Sequence, residues 1–305
     1  MTNSLPPNPV LRRLGFADDD RVVVLHADDI GMCQASITAW QRALDFGLLS
    51  SAATMVPCPW FHGTAQLCRE RAGDSRLDMG VHLTLTSEWK NYRWGPIRSR
   101  NPATGLLDGD GLFHRLAEPV AAQAYLPAMA DELRAQIDRA LEQGIDVTHI
   151  DTHMLTLFHP RLLPVYARLG FEYGLPVFLL RSMASNMEEA GIPPGQAEEA
   201  TQALAEAEAR GFPLFDHLEV LSLSDAEDRH GEGMRAINAA PPGLTNLLCH
   251  MSVDTPELRA IAPDWRCRVG DADIFTSDAF AHDVAKSGVK VINFRILRDL
   301  VRSDQ

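Results

Sequence analysis

Two carboxylates stand side by side in Val22-Val-Val-Leu-His-Ala-Asp-Asp-Ile-Gly31, where an apolar run gives out. Asp28 and Asp29 repel each other unless a cation or a shared proton holds them, and a divalent metal answers that need. The run before them is short, β-branched and continuous, as in a strand buried on both faces. Neighbouring residues on a strand point to opposite faces, so both carboxylates reach one site only if the backbone turns; Gly31 favours such a turn. The same pair could instead cap the helix expected to begin near Cys33, with Asp29 as its N-cap.

Polar residues of the same kind close other apolar runs: Met79-Gly-Val-His82-Leu-Thr-Leu-Thr86, Thr148-His149-Ile-Asp151-Thr-His153, the stretch ending in Arg181, and Leu247-Leu-Cys-His250. Any one of these histidines alone reads more readily as structural; together, on one rim, they read as a site. One carboxylate with two imidazoles suits Zn²⁺ or another divalent ion with positions open to water, and Asp29, His82 and His153 can supply that set. Such a metal lowers the pKa of bound water and polarises a carbonyl. Asp28 could then take a proton from the water, and His250 could protonate a leaving group. His149 and Asp151 are i and i+2, on one face of their strand, where they could orient the ligands from behind.

The elements that would position these groups alternate from end to end. Strands are expected over Val22–Asp29, Leu48–Val56, Leu77–Leu85, Val147–Asp151, Leu175–Arg181, His217–Leu223, Leu244–His250 and Val289–Phe294. Helices are expected over Cys33–Gly47, Trp60–Ala72, Pro119–Gln143, Arg161–Tyr173, Pro194–Arg210, Ala226–Ala239 and Thr276–Ser287. Alternation of this kind implies an α/β fold with a mostly parallel sheet. Seven or eight units with no composition break fit a single-domain (β/α) barrel variant over residues 21–305, after an N-terminal extension over 1–20. Active sites of such barrels lie at the C-terminal ends of the strands, where the residues above fall. The long polar segment Thr86–Arg115 carries Trp89, Tyr92, Arg93 and Trp94. Its aromatics could stack on a sugar ring or anchor the loop to the core.

Composition narrows the partners. A net charge of −13 over 305 residues argues against nucleic acid and anionic membrane. No apolar stretch reaches the ~18–20 residues of a membrane span, and the polar, Pro-rich start lacks the apolar core of a signal peptide. Five cysteines without a CxxC pair read as reduced thiols in a cytoplasm. There is no Gly-rich dinucleotide fingerprint, no phosphate-loop GK[ST] and no G-x-S-x-G.

The pieces Ala27-Asp-Asp-Ile-Gly31, Gly80-Val-His-Leu-Thr84, His149-Ile-Asp-Thr-His153 and Leu248-Cys-His250, in this order and spacing, resemble the YdjC-like (ChbG/HpnK) carbohydrate deacetylases. The resemblance runs from about Val22 to the C-terminal strand. It implies a (β/α) barrel variant that removes an N-acetyl group from amino-sugar oligosaccharides. It implies Asp28 as general base, His250 as general acid, and Asp29, His82 and His153 as ligands of a divalent metal ion, zinc or magnesium. The chain departs from the pattern in two places. Met154-Leu-Thr-Leu-Phe158 follows His153 where members acting on chitooligosaccharides carry further histidines, and Met251-Ser252 follows His250 where Pro-Gly is common. Both changes spare the metal set and bear on the substrate, for which Trp89, Tyr92, Trp94 and Arg181 are the candidate contacts. A metal-dependent isomerase, epimerase or lyase on the same barrel, or a silent binding protein, remains open on the residues alone. So does the oligomeric state, a homodimer included.

Overall fold

The protein is described here by a computed structural model covering residues 6–183, 193–225 and 227–303. Among the described residues seven strands alternate with helices: β1 (Arg21–Ile30), β2 (Ser51–Thr54), β3 (Met79–Leu83), β4 (Val147–Thr152), β5 (His217–Val220), β6 (Gly243–Cys249) and β7 (Lys290–Ile292). They form one sheet in the order β4-β3-β2-β1-β6-β5, with β7 also on β1, and every pairing is parallel. Two isolated parallel bridges, Ile150 with Val177 and Leu180 with Phe215, carry the pairing from β4 round to the segment that enters β5. The sheet thereby curls into a barrel-like ring within a single domain. The strand expected over Leu175–Arg181 is reduced to these two bridges. Pro176 within it has no N–H for a ladder and only accepts, from Ile150 N–H (3.0 Å).

β1 is the strand on which the ring is built. One edge pairs with β6 over Arg21–Ala27; the other pairs with β7 over Val22–Val24 and with β2 from His26 onward. Its alternation sorts two apolar clusters. Val23, Leu25 and Ala27 join the large core under the helices, whereas Val22 and Val24 join Val10, Leu11, Phe178, Phe215, Leu244 and Phe294. By the same period His26 and Asp28 continue the inner face, so the ring is apolar at the strands' N-terminal end and ionisable at the other.

Helix α1 (Pro9–Arg13) precedes β1 and buries Val10 and Leu11 against that apolar end; Asn8 Nδ2 donates to Leu214 O (2.9 Å) and Asp216 Oδ2 (2.8 Å). Residues 1–5 of the expected extension lie outside the described residues. Helices α2 (Gln34–Phe46) and α3 (Phe61–Glu70) follow within a residue or two at each end of the expected spans. The long helix expected over Pro119–Gln143 is two, α4 (Ala117–Gln123) and α5 (Leu126–Glu142), because Pro127 starts a new first turn and cannot continue the old one. Then come α6 (Leu163–Tyr173), α7 (Pro194–Ala209) and α8 (Arg229–Ala239), the last capped by Asp228; Ala226, where it was expected to start, lies outside the described residues. The pattern reveals α11 (Asp278–Lys286) but not α9 (Pro256–Ile261), α10 (Trp265–Ile274) or α12 (Phe294–Ser303). No described helix is long and apolar enough to cross a membrane. All five cysteines are buried and free.

Candidate active site

At Asp29 the backbone of β1 leaves the extended region: φ is +63°, and the register against β2 shifts between Ala27 and Ile30. Asp and Asn are the side chains that tolerate this left-handed region best. Gly31 (φ +85°) completes the turn, and a Cβ there would lie 2.7 Å from Thr64 Oγ1, so glycine is required on both counts. This bend lets two consecutive carboxylates face one site. The capping alternative is not what forms: Cys33 is the N-cap of α2, without a side-chain bond, and Ser36 Oγ takes the Gly31 N–H (3.1 Å).

Asp29, His82 at the end of β3 and His153 just past β4 converge. His153 Nδ1 lies 3.1 Å and His82 Nε2 3.5 Å from Asp29 Oδ1, and the two nitrogens are 3.3 Å apart. Asp29 Oδ1 is buried and accepts no well-aligned hydrogen bond, while the two imidazole nitrogens are within hydrogen-bond distance of each other, so the three atoms crowd round a common point. That fits a cation with one oxygen and two nitrogen donors. Each donor is held from behind. Asp151 Oδ1 takes His82 Nδ1 at 2.8 Å, Glu88 Oε2 faces His153 Nε2 at 3.0 Å, and Arg268 Nη1 donates to Asp29 Oδ2 at 2.8 Å. The field is cation-seeking. Burial disfavours a charged imidazole, yet Asp151 and Asp28 raise His82 well above its ordinary pKa, and Glu88 and Asp29 raise His153 to about 9. Burial likewise opposes the Asp29 charge, but His153 and Arg268 hold its carboxyl well below the usual range.

Asp28 sits beside this set. Its Oδ2 lies 3.8 Å from His82 Nε2 and 4.0 Å from His250 Nε2, and its Oδ1 is 2.9 Å from His26 Nδ1. Burial works against its ionisation, and His82 and His26 outweigh it, so the carboxyl stays below its ordinary pKa. His250 follows β6 and is fixed by its backbone N–H, which donates to Asp271 Oδ2 (2.8 Å), itself ion-paired with Arg229. Burial and Arg268 push its imidazole down, against Asp29. The sites expected from the sequence at Asp28, Asp29, His82, His153, His250 and Asp151 therefore meet. His149 does not touch the three converging donors: its Nε2 faces His26 Nε2 at 2.9 Å.

Arg181 is elsewhere. It pairs with Asp216 (2.9 Å) and donates to Pro6 O (2.8 Å), while Asp216 Oδ2 takes the N–H of Leu244 (2.8 Å), at the opposite end of β6 from His250. Its stretch bridges Phe215, just ahead of β5, and so ends beside Asp216 and the start of β6. The loop aromatics pack against the core. Trp89 and Trp94 are buried, Trp94 Nε1 donates to Thr86 O (2.8 Å) and Tyr92 Oη to Met32 O (2.6 Å). The Trp94 ring nevertheless comes within 6.2 Å of His153. Trp94→Ala is expected to destabilise the fold by ~3–5 kcal/mol, as large-to-small changes of buried aromatics do, read by denaturant unfolding. Unchanged stability with a raised KM would return these rings to the substrate. Glu88, Arg268 and Asp271 were not anticipated, for two stand on a helix with no amphipathic period and one in the irregular loop. His26 was within sight, i−2 from Asp28 on one strand face. The departures after His153 divide: Met154 and Leu155 are left-handed (φ +52° and +50°) and exposed, whereas Thr156 and Leu157 are buried.

The profile of the family described as YdjC-like protein matches residues 22–286. The chain belongs to the YdjC-like family. A relative from Thermus thermophilus named carbohydrate deacetylase is 34% identical over 262 residues, which cover 86% of this chain and 88% of the relative. A chitooligosaccharide deacetylase from Citrobacter koseri is 22% identical over 280 residues, 90% of this chain and 98% of the relative. The crystal structure of a cellobiose-phosphate cleavage protein candidate from Enterococcus faecalis V583 shares the fold of this YdjC-like chain. Its TM-score is 0.70 at 21% identity, over 91% of this chain and 99% of the other.

Proposed function

We propose that this YdjC-like protein is a metal-dependent carbohydrate deacetylase that hydrolyses an N-acetyl group on an amino-sugar or oligosaccharide. The observation that carries the reading is the convergence of Asp29, His82 and His153 with Asp28 on one side and His250 facing it. Asp29 Oδ1, His82 Nε2 and His153 Nδ1 would hold a divalent ion, zinc or magnesium, whose Lewis acidity would favour water ionisation and polarise the amide carbonyl. Asp28 Oδ2 accepts the proton of the attacking water, and His250 Nε2 gives a proton to the departing amine nitrogen as the C–N bond breaks. Free amine and acetate are the products. Asp151 and Glu88 keep the two imidazoles turned towards Asp29 throughout. A carbohydrate partner is supported by the relatives named carbohydrate deacetylases, and a cytoplasmic setting by the unpaired thiols.

The deciding experiment is acetate release from a panel of N-acetylated saccharides, with metal supplied and after chelation. Acetate that disappears on chelation and returns with zinc or magnesium is the expected result. An isomerised sugar without acetate would replace this reading by isomerase or epimerase chemistry.

A further inference from the structure

Beneath Asp28 runs a file of buried polar groups that the proposed chemistry does not use. His26 Nδ1 is 2.9 Å from Asp28 Oδ1, an approach that is close but not well aligned for a ring N–H, and neither atom has a hydrogen-bond partner elsewhere. His26 Nε2 meets His149 Nε2 at 2.9 Å, His149 Nδ1 meets Thr148 Oγ1 at 2.9 Å, and Thr148 Oγ1 meets Asp78 Oδ1 at 2.9 Å. Ser51 Oγ (2.6 Å) and the Arg295 N–H (2.6 Å) complete Asp78. The middle of the file is clamped. The His149 ring stacks on Phe294 at 3.7 Å, and a Cβ at Gly80 would fall 2.4 Å from that ring.

Asp151 Oδ2 also lies 3.5 Å from His26 Nε2, beyond the 2.9 Å of His149 Nε2; along the closer contacts the proton count is constrained, because Thr148 has one hydroxyl proton and two partners. If Asp78 is protonated, it donates to Thr148, Thr148 donates to His149 Nδ1, and His149 Nε2–H donates to His26 Nε2. The only remaining ring nitrogen of His26, Nδ1, then carries its proton, facing Asp28. If Asp78 is ionised, it takes the Thr148 proton. His149 Nδ1–H then turns to Thr148, and His26 Nε2–H to His149. In that case too, the 2.9 Å approach of His26 Nδ1 to Asp28 Oδ1 requires a proton between the two atoms. Burial favours the first arrangement, raising Asp78 and holding His149 neutral.

We infer that His26, with its tautomer set by His149, Thr148 and Asp78, is the positioning residue of Asp28: its Nδ1–H occupies Oδ1 and leaves Oδ2 turned to the reacting centre. This rests on Asp28 being the base, and its tests separate the two claims. In ¹⁵N-labelled, zinc-loaded protein, His26 Nδ1 is expected to carry a slowly exchanging proton whose signal vanishes in His26→Gln and shifts in Asp28→Asn. A bare Nδ1 with the proton on Nε2 alone overturns the inference, whether or not acetate is released. In turnover, His26→Asn places an amide N–H where the ring Nδ1–H was and should keep kcat within ~5-fold. His26→Gln, which imitates Nε2 instead, should lose ~10-fold or more, the worth of a hydrogen bond to a charged group, with KM and metal content unchanged. Equal losses in both variants, or losses that track metal content, would make His26 merely structural. A wild type that releases no acetate but shows the Nδ1 proton refutes the deacetylase reading and leaves the positioning geometry standing.

Discussion

Asp28→Asn is expected to bind metal at the wild-type stoichiometry and to lose at least ~10²-fold in kcat, the lower end of what a general base contributes. The amide keeps the shape of the carboxyl and still offers an oxygen to His26 Nδ1, 2.9 Å away, so the strand end and its support stay in place. What goes is the basic Oδ2 between His82 and His250. Metal analysis alongside kcat reads the two effects apart. A variant emptied of metal would show that Asp28 is a ligand, and one with undiminished kcat would remove it from the reaction.

Asp29→Asn is expected to do the reverse: metal affinity falls, and activity returns in part at high metal concentration. Asn is the informative substitute because it accepts the left-handed backbone at this position almost as readily as Asp, whereas Ala would add strain of roughly 1–3 kcal/mol to the lost charge. Arg268 loses a partner but is not stranded, since its Nε still donates to Asp264 Oδ1 at 3.0 Å. The unfolding midpoint should therefore fall less than in a variant that leaves a buried cation alone, which typically costs ~3–5 kcal/mol. Metal stoichiometry by elemental analysis and kcat over a metal titration decide the assignment. Full metal occupancy in Asp29→Asn, with Asp28→Asn empty, would exchange the roles of the two carboxylates.

What the residues disclosed before the fold was known follows a physical line. Periodicity 2 along a strand is local, so β1, the inward face shared by His26 and Asp28, and the pairing of Asp151 with the ligand face were all readable. The bend at Asp29 was readable as a necessity, though not as the particular residue that takes it. Arg268 and Asp271 were not readable, for they lie on α10, more than 200 residues past β1, and nothing local links a helix without an apolar stripe to a distant strand end. Glu88 belongs to an irregular loop whose path is set by contacts such as Arg93 with Asp108 (2.6 Å) and Arg115 with Trp89 O (2.6 Å). Tryptophan on a loop can face a ligand or the core, and hydrogen bonds such as Trp94 to Thr86 settle the matter only in three dimensions. Arg181 misled because the stretch it ends makes only two bridges, so its position says nothing about the rim.

The double partnership of β1 also governs how the molecule can be assembled. The strand is synthesised well ahead of its partner β7, and its lower edge, Val22 to Val24, waits for Lys290–Ile292. The Phe294 ring that packs on His149 and His26 arrives later still. Until then a β-branched edge of the kind that recruits foreign strands is left open. Closure joins β1 to β7, a contact of very high sequence separation and correspondingly slow to form. Biogenesis of this barrel is thus a race between the arrival of its last strand and the self-association of its first, and cooling or chaperones would bias the race towards the folded enzyme.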